Sequence, residues 1–142
     1  MLRMQNMMTV FGALAAGIAV LAGAVGAHVL HLEPGSARVH TYDTAVIYLL
    51  VHGVVVCLGG LVRVARPRLW CLARGLMVLG MLLFSGGIFV YVGAGFDKPL
   101  PVIPMGGMSL MGGWLVAALA VCRQSVRDAG FHTARLTEKE ED

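Results

Sequence analysis

A histidine inside an apolar segment carries the most specific chemical possibility in this chain. His52 follows Tyr48 and Thr44 at four-residue steps, so on a helix the three share one face. Counted from the start of its apolar run, His52 lies near mid-bilayer, where an ionisable group suits a solute or proton path. The same pair of residues serves a structural purpose equally well. A neutral imidazole bonded to Tyr48 or to a neighbouring helix is satisfied, whereas one His with one Tyr makes a poor relay. No Asp or Glu lies within any apolar run. Ion-coupled pumps ordinarily bury a carboxylate, which disfavours active transport.

Other chemistry is thinner. His28, His31, His40 and Asp43 cluster around one loop, and His with carboxylate is a zinc or copper donor set. Their spacing does not match a zinc motif. His28 reads as an interfacial residue capping the first span or bonding the start of the second. Met105, Met108 and Met111 recur at three-residue steps. Thioethers suit Cu(I), but Met is also an ordinary filler of irregular apolar packing. Ser85, Ser109 and Tyr91 are scattered, and no nucleophile elbow, paired carboxylate or Gly-rich phosphate loop is present. The expectation is no catalytic residue, no metal and no cofactor, hence no enzyme; His28, Thr44, Tyr48, His52 and Ser85 remain as functional or structural polar positions.

What must position these residues is a set of membrane helices. Of 142 residues, 58% are apolar and 13% charged, with 19 glycines, against roughly 25% charge in soluble domains. Four apolar runs reach spanning length, at about 7–30, 44–62, 75–94 and 104–122. The first is longer than a signal-peptide core of about 7–15 residues and reads as a retained span. Pro104 suits a first helical turn, and the preceding Lys98-Pro99-Leu100-Pro101 must be a loop. The stretch Arg63–Arg74 reads as a short basic turn with Trp70 as an interface anchor. The fold expected is an all-α, polytopic four-helix membrane bundle in one domain. A polar tail over 123–142 continues the last span briefly and then frays.

Nine of the eleven Lys and Arg residues fall on one side of this topology; only Arg38 and Lys98 fall on the other. The positive-inside rule then puts both termini in the cytoplasm of a multi-pass inner (plasma) membrane protein. The three cysteines, Cys57, Cys71 and Cys122, lie toward the reducing side and suggest no disulfide framework. The arginines border membrane ends without an aromatic-rich platform, so the basic balance speaks for anionic lipid, with no nucleic acid as partner.

Small residues supply the packing signals. Ala15, Ala19, Gly23 and Ala27 line one face of the first span; Ser109, Gly113 and Ala117 do so in the fourth, beside Gly106 and Gly107. Gly80, Gly86 and Gly87 punctuate the third. Such faces let helix backbones approach where lipid gives no hydrophobic drive to associate. They serve the bundle itself, another membrane subunit, or a second copy of the chain.

Taken in order, Gly23-Ala-Val-Gly-Ala-His28-Val-Leu30, Thr44-Ala-Val-Ile-Tyr48 with His52, Leu83-Phe-Ser-Gly86, and Ile103-Pro-Met-Gly-Gly107 with Gly113-Trp114 resemble domain-of-unknown-function family 423, the YgdD-like small inner-membrane proteins. The resemblance covers roughly residues 8–122. It implies a four-helix membrane protein of unestablished function. Two departures stand out: Ile103 replaces a polar residue, commonly Thr, and aliphatics replace polar residues between Val46 and His52. Two functions remain in view. One is a packing or accessory component of a larger inner-membrane assembly. The other is a passive channel or small-solute carrier, acting as an oligomer through the Tyr48–His52 face.

Overall fold

A computed structural model describes residues 2–30 and 34–140, with side chains described for 3–30 and 34–122. It contains α1 (Leu2–His28), α2 (Ala37–Leu58), α3 (Pro67–Gly93) and α4 (Val102–Glu140). Each holds an apolar window long enough to cross a membrane. The 22 residues of α2 extend about 33 Å at 1.5 Å per residue, close to a hydrocarbon core of about 30 Å.

Local chemistry sets the helix ends. The Ser36 hydroxyl accepts from the Val39 N–H and caps α2. The last carbonyls of α2 are all engaged: Gly59 N–H donates to Val55, Gly60 N–H to Cys57 and Leu61 N–H to Leu58, and Val56 accepts from a side chain described below. Pro67 opens α3, where its missing N–H costs nothing. At the far end Gly95 takes φ 68°, Gly95 N–H bonds Val92, and Phe96 N–H reaches back to Tyr91. This is a Schellman stop, which needs the left-handed backbone that glycine adopts freely. Arg38 donates to the Phe96 carbonyl at 2.8 Å and ties the start of α2 to that stop.

Two antiparallel hairpins, α1–α2 and α3–α4, join through α2 and α3. Among the described residues α4 makes no backbone approach to α1 or α2, so the bundle is open on that side. Glycines decide where backbones touch. A Cβ on Gly12 would stand 2.5 Å from Cys57 N and 2.7 Å from Gly53 O; one on Gly53 would stand 2.8 Å from Ala16 N. On the other hairpin a Cβ on Gly106 would collide with Phe84 N, and one on Gly113 would come within 2.8 Å of Met77 Cγ. Between these contacts a core of Ala15, Ala19, Leu49, Val56, Met77, Met81 and Leu110 fills the interior.

Several boundaries and faces differ from expectation. α2 starts at Ala37 rather than Thr44, because its capped first turns carry Arg38, His40 and Asp43 and escape a hydropathy window. α3 starts at Pro67, so most of the supposed Arg63–Arg74 turn is helix. α4 continues to Glu140 rather than fraying soon after residue 122. Ala15, Ala19, Gly106 and Gly113 are buried, but Ala27 is exposed. Gly23 makes only an ordinary contact with Val46, Gly107 only one with the Phe84 ring, and nothing lies within 4 Å of a Cβ on Gly86. Gly86 instead borders an apolar gap of about 280 Å³ between α1, α2 and α3.

Candidate functional site: the His52–Trp114 junction

The motif residues of three helices converge on one place. His52, 6% exposed, projects from α2 toward α4. Its Nδ1 lies 2.8 Å from the Tyr48 carbonyl, and the Trp114 indole Nε1 donates to its Nε2 at 3.1 Å. An indole N–H only donates, so Nε2 is the unprotonated nitrogen and Nδ1–H donates to Tyr48. Both ring nitrogens are spent, and the imidazole is held as one neutral tautomer. Trp114 meets the imidazole edge-on with ring centroids 6.0 Å apart.

Tyr48 covers the adjacent turn. Its ring packs on Phe84 of α3 at 4.9 Å between centroids and on His52 at 5.7 Å. It is 41% exposed, and it bonds His52 through its backbone carbonyl rather than its hydroxyl. Next to Phe84, Ser85 is wholly buried and donates to the Ala45 carbonyl at 2.9 Å, bolting α3 to α2. Ser109 does the same between helices, donating to Leu76 at 2.8 Å. Thr44 is exposed and turns its hydroxyl back onto His40 at 2.7 Å, so it shares the face of Tyr48 and His52 without joining their contacts. Ile103, where the resemblance led one to expect a polar residue, packs into a second apolar cluster with Tyr42, Ala45 and Ile88.

Tyr48, His52 and Trp114 line a groove of about 470 Å³ between α2 and α4, walled by Ile47, Val51, Phe84, Pro104, Gly107, Met108 and Met111. The groove exists because α2 and α4 lack backbone contact; the His52–Trp114 bond crosses it. With α2 spanning Ala37–Leu58, His52 lies about 7 Å past the midpoint of its helix.

The histidines of the outer loop do not assemble. His28 is exposed in the last turn of α1, where a basic group complements the helix dipole. His40 is exposed on α2, and His31 lies outside the described residues. Among the described residues no three His, Cys, Asp or Glu side chains gather as a metal site. Met105, Met108 and Met111 are exposed along α4.

Sequence reasoning missed two residues. In the sequence Trp114 stands only within a motif, and nothing local points it at His52. Arg74 reads as an interfacial charge, yet it is 1% exposed. Its Nε and Nη2 donate to the Val56 carbonyl at 3.1 and 2.6 Å, and Nη2 also donates to Thr9 Oγ1 at 3.1 Å. Nη1 has no partner among the described residues. One guanidinium thus joins α1, the end of α2, and α3. The available signal was its position, two turns inside a helix opened by Pro67.

Comparison with known proteins adds a family. The model of a family described as "Protein of unknown function (DUF423)" matches residues 22–107. That stretch includes Tyr48, His52, Arg74 and Ser85; Trp114 lies beyond it. The chain is 29% identical over 126 residues to the UPF0382 inner membrane protein YgdD of Escherichia coli (strain K12), covering 86% of this chain and 96% of that one. It is 26% identical over 116 residues to the UPF0382 membrane protein SAB0533 of Staphylococcus aureus (strain bovine RF122 / ET3-1), covering 82% and 95%. No solved structure matches it.

Proposed function

From the premise that this chain belongs to the DUF423 family of membrane proteins, we propose that it is a non-catalytic packing or accessory component of a larger inner-membrane assembly. The observation that carries the reading is the state of the His52–Trp114 junction. His52, Trp114, Ser85 and Ser109, four polar side chains inside the spans, spend their hydrogen bonds within the chain. A solute path needs polar groups free to replace a hydration shell. Here the α2–α4 groove presents chiefly aliphatic, aromatic and thioether surface, which suits a helix of another membrane protein. Met adapts to irregular partners, and Gly107 leaves room for a backbone to approach.

In this reading both termini face the cytoplasm, supported by the nine-to-two distribution of Lys and Arg. Purification in a mild detergent, followed by mass spectrometry, tests the role. A stoichiometric membrane partner supports it. Solute flux through liposomes holding the pure protein, abolished by His52→Gln, would replace it with the channel reading.

A further inference from the structure

Among the described side chains, the end of the bundle where α2 turns into α3 is electrically one-sided. It holds Arg3, Arg63, Arg66, Arg68 and Arg74, while the acids with described side chains, Asp43 and Asp97, sit at the opposite end. A cleft of about 590 Å³ opens at this end, lined by Gln5, Gly60, Leu61, Arg63, Pro67 and Trp70, with Arg63 the one arginine among its lining residues. Gly60 forms one wall. Behind it a Cβ would meet the Thr9 side chain first and Arg74 Nη2 at 3.4 Å, so the guanidinium stands behind this glycine together with Thr9. Trp70, another wall, is fixed by its indole N–H donating to the Gly59 carbonyl at 2.7 Å.

Arg74 is the unresolved charge in this arrangement. Its side chain is 1% exposed, Nη1 has no partner among the described residues, and no carboxylate with a described side chain accompanies it. A buried cation is costly unless opposite charge stands near it. The carbonyl of Val56 and the dipole of α2 supply part of that charge. An anion in the cleft would supply the rest, because low-dielectric walls screen it little.

We propose that this cleft is a binding site for a phosphate-bearing anion. Arg63 meets the phosphate at the mouth, and Arg74, behind Gly60, holds positive charge beneath it. Guanidinium groups match phosphate geometry, and basic pockets between helices at a membrane end seat anionic headgroups. Phosphatidylglycerol and free phosphate share that chemistry. The site needs no protein partner, so it stands apart from the accessory role.

Thermal unfolding of the full chain in a neutral sugar detergent tests it, titrated separately with short-chain phosphatidylglycerol, short-chain phosphatidylcholine and inorganic phosphate. The midpoint rises saturably with phosphatidylglycerol and not with phosphatidylcholine. Arg63→Gln weakens half-saturation about five-fold, as expected for one solvent-accessible ion pair. Arg68→Gln, an exposed arginine outside the cleft, leaves it unchanged. A shift produced equally by inorganic phosphate, with the same dependence on Arg63, also sustains the site and identifies free phosphate as its ligand. Equal shifts from phosphatidylglycerol and phosphatidylcholine overturn the proposal, as do equal losses in the Arg63 and Arg68 variants.

Discussion

Trp114 and His52, 62 residues apart in sequence, are joined by one hydrogen bond of 3.1 Å between two helices whose backbones do not meet. The bond fixes the imidazole tautomer and closes the floor of the α2–α4 groove. Because His52 Nε2 only accepts here, a replacement must offer an acceptor to Trp114. His52→Gln does so and is mild. His52→Leu strands the indole N–H and lowers stability by about 0.6 kcal/mol, with about 1.7 kcal/mol as an upper value for one intramembrane bond. Thermal unfolding of both variants and of Trp114→Phe, combined as a double-mutant cycle, reports the coupling directly. Equal midpoints for the Gln and Leu variants would show that the bond contributes nothing.

Glycine substitutions separate backbone contact from lipid exposure. Gly12→Leu forces α1 off Gly53 and Cys57, and Gly113→Leu forces α4 off Met77; each costs about 1–3 kcal/mol by overfilling a tight site. Gly86→Ala adds a methyl group to open space and gains helix propensity of about 1 kcal/mol at most. Midpoints in detergent should fall for the first two and hold or rise for the third.

Arg74→Gln tests the three-helix tie. Losing charge-assisted bonds to Val56 and Thr9 costs about 1.5–3 kcal/mol. Thr9→Val removes one of those bonds only and should cost less, since Arg74 keeps both bonds to Val56. A Thr9→Val loss as large as that of Arg74→Gln would mean that the Val56 bonds carry little.

Topology is open to labelling. In a cysteine-free background, Lys98→Cys in the α3–α4 loop reacts with an impermeant maleimide from outside intact cells, and Ala65→Cys in the α2–α3 loop does not. The reverse pattern contradicts cytoplasmic termini.

The four helices were legible because spanning length and apolar composition are local properties. Their ends were less so: the first turns of α2 and α3 are polar, and only Ser36 and Pro67 mark them. Tight packing was visible at Gly113 but not at Gly12 or Gly53, because small residues recur on every span and a stripe does not state which face another helix meets. The polar face of Tyr48 and His52 was readable from four-residue spacing. Its partner Trp114 was not, since pairing across α2 and α4 is set by tertiary arrangement. Arg74 misled for a related reason: a charge near a helix end looks interfacial until the carbonyls of another helix are found beside it.

The accessory role stands or falls on what occupies the α2–α4 groove in the native membrane. A photo-crosslinking residue at Met111, on the groove wall, and another at Leu21, exposed on α1 away from it, provide the comparison. The account predicts a discrete adduct with one other membrane polypeptide from Met111, absent from Leu21 and lost when Gly107→Leu fills the groove. Lipid adducts alone from both positions, unchanged by Gly107→Leu, would contradict it.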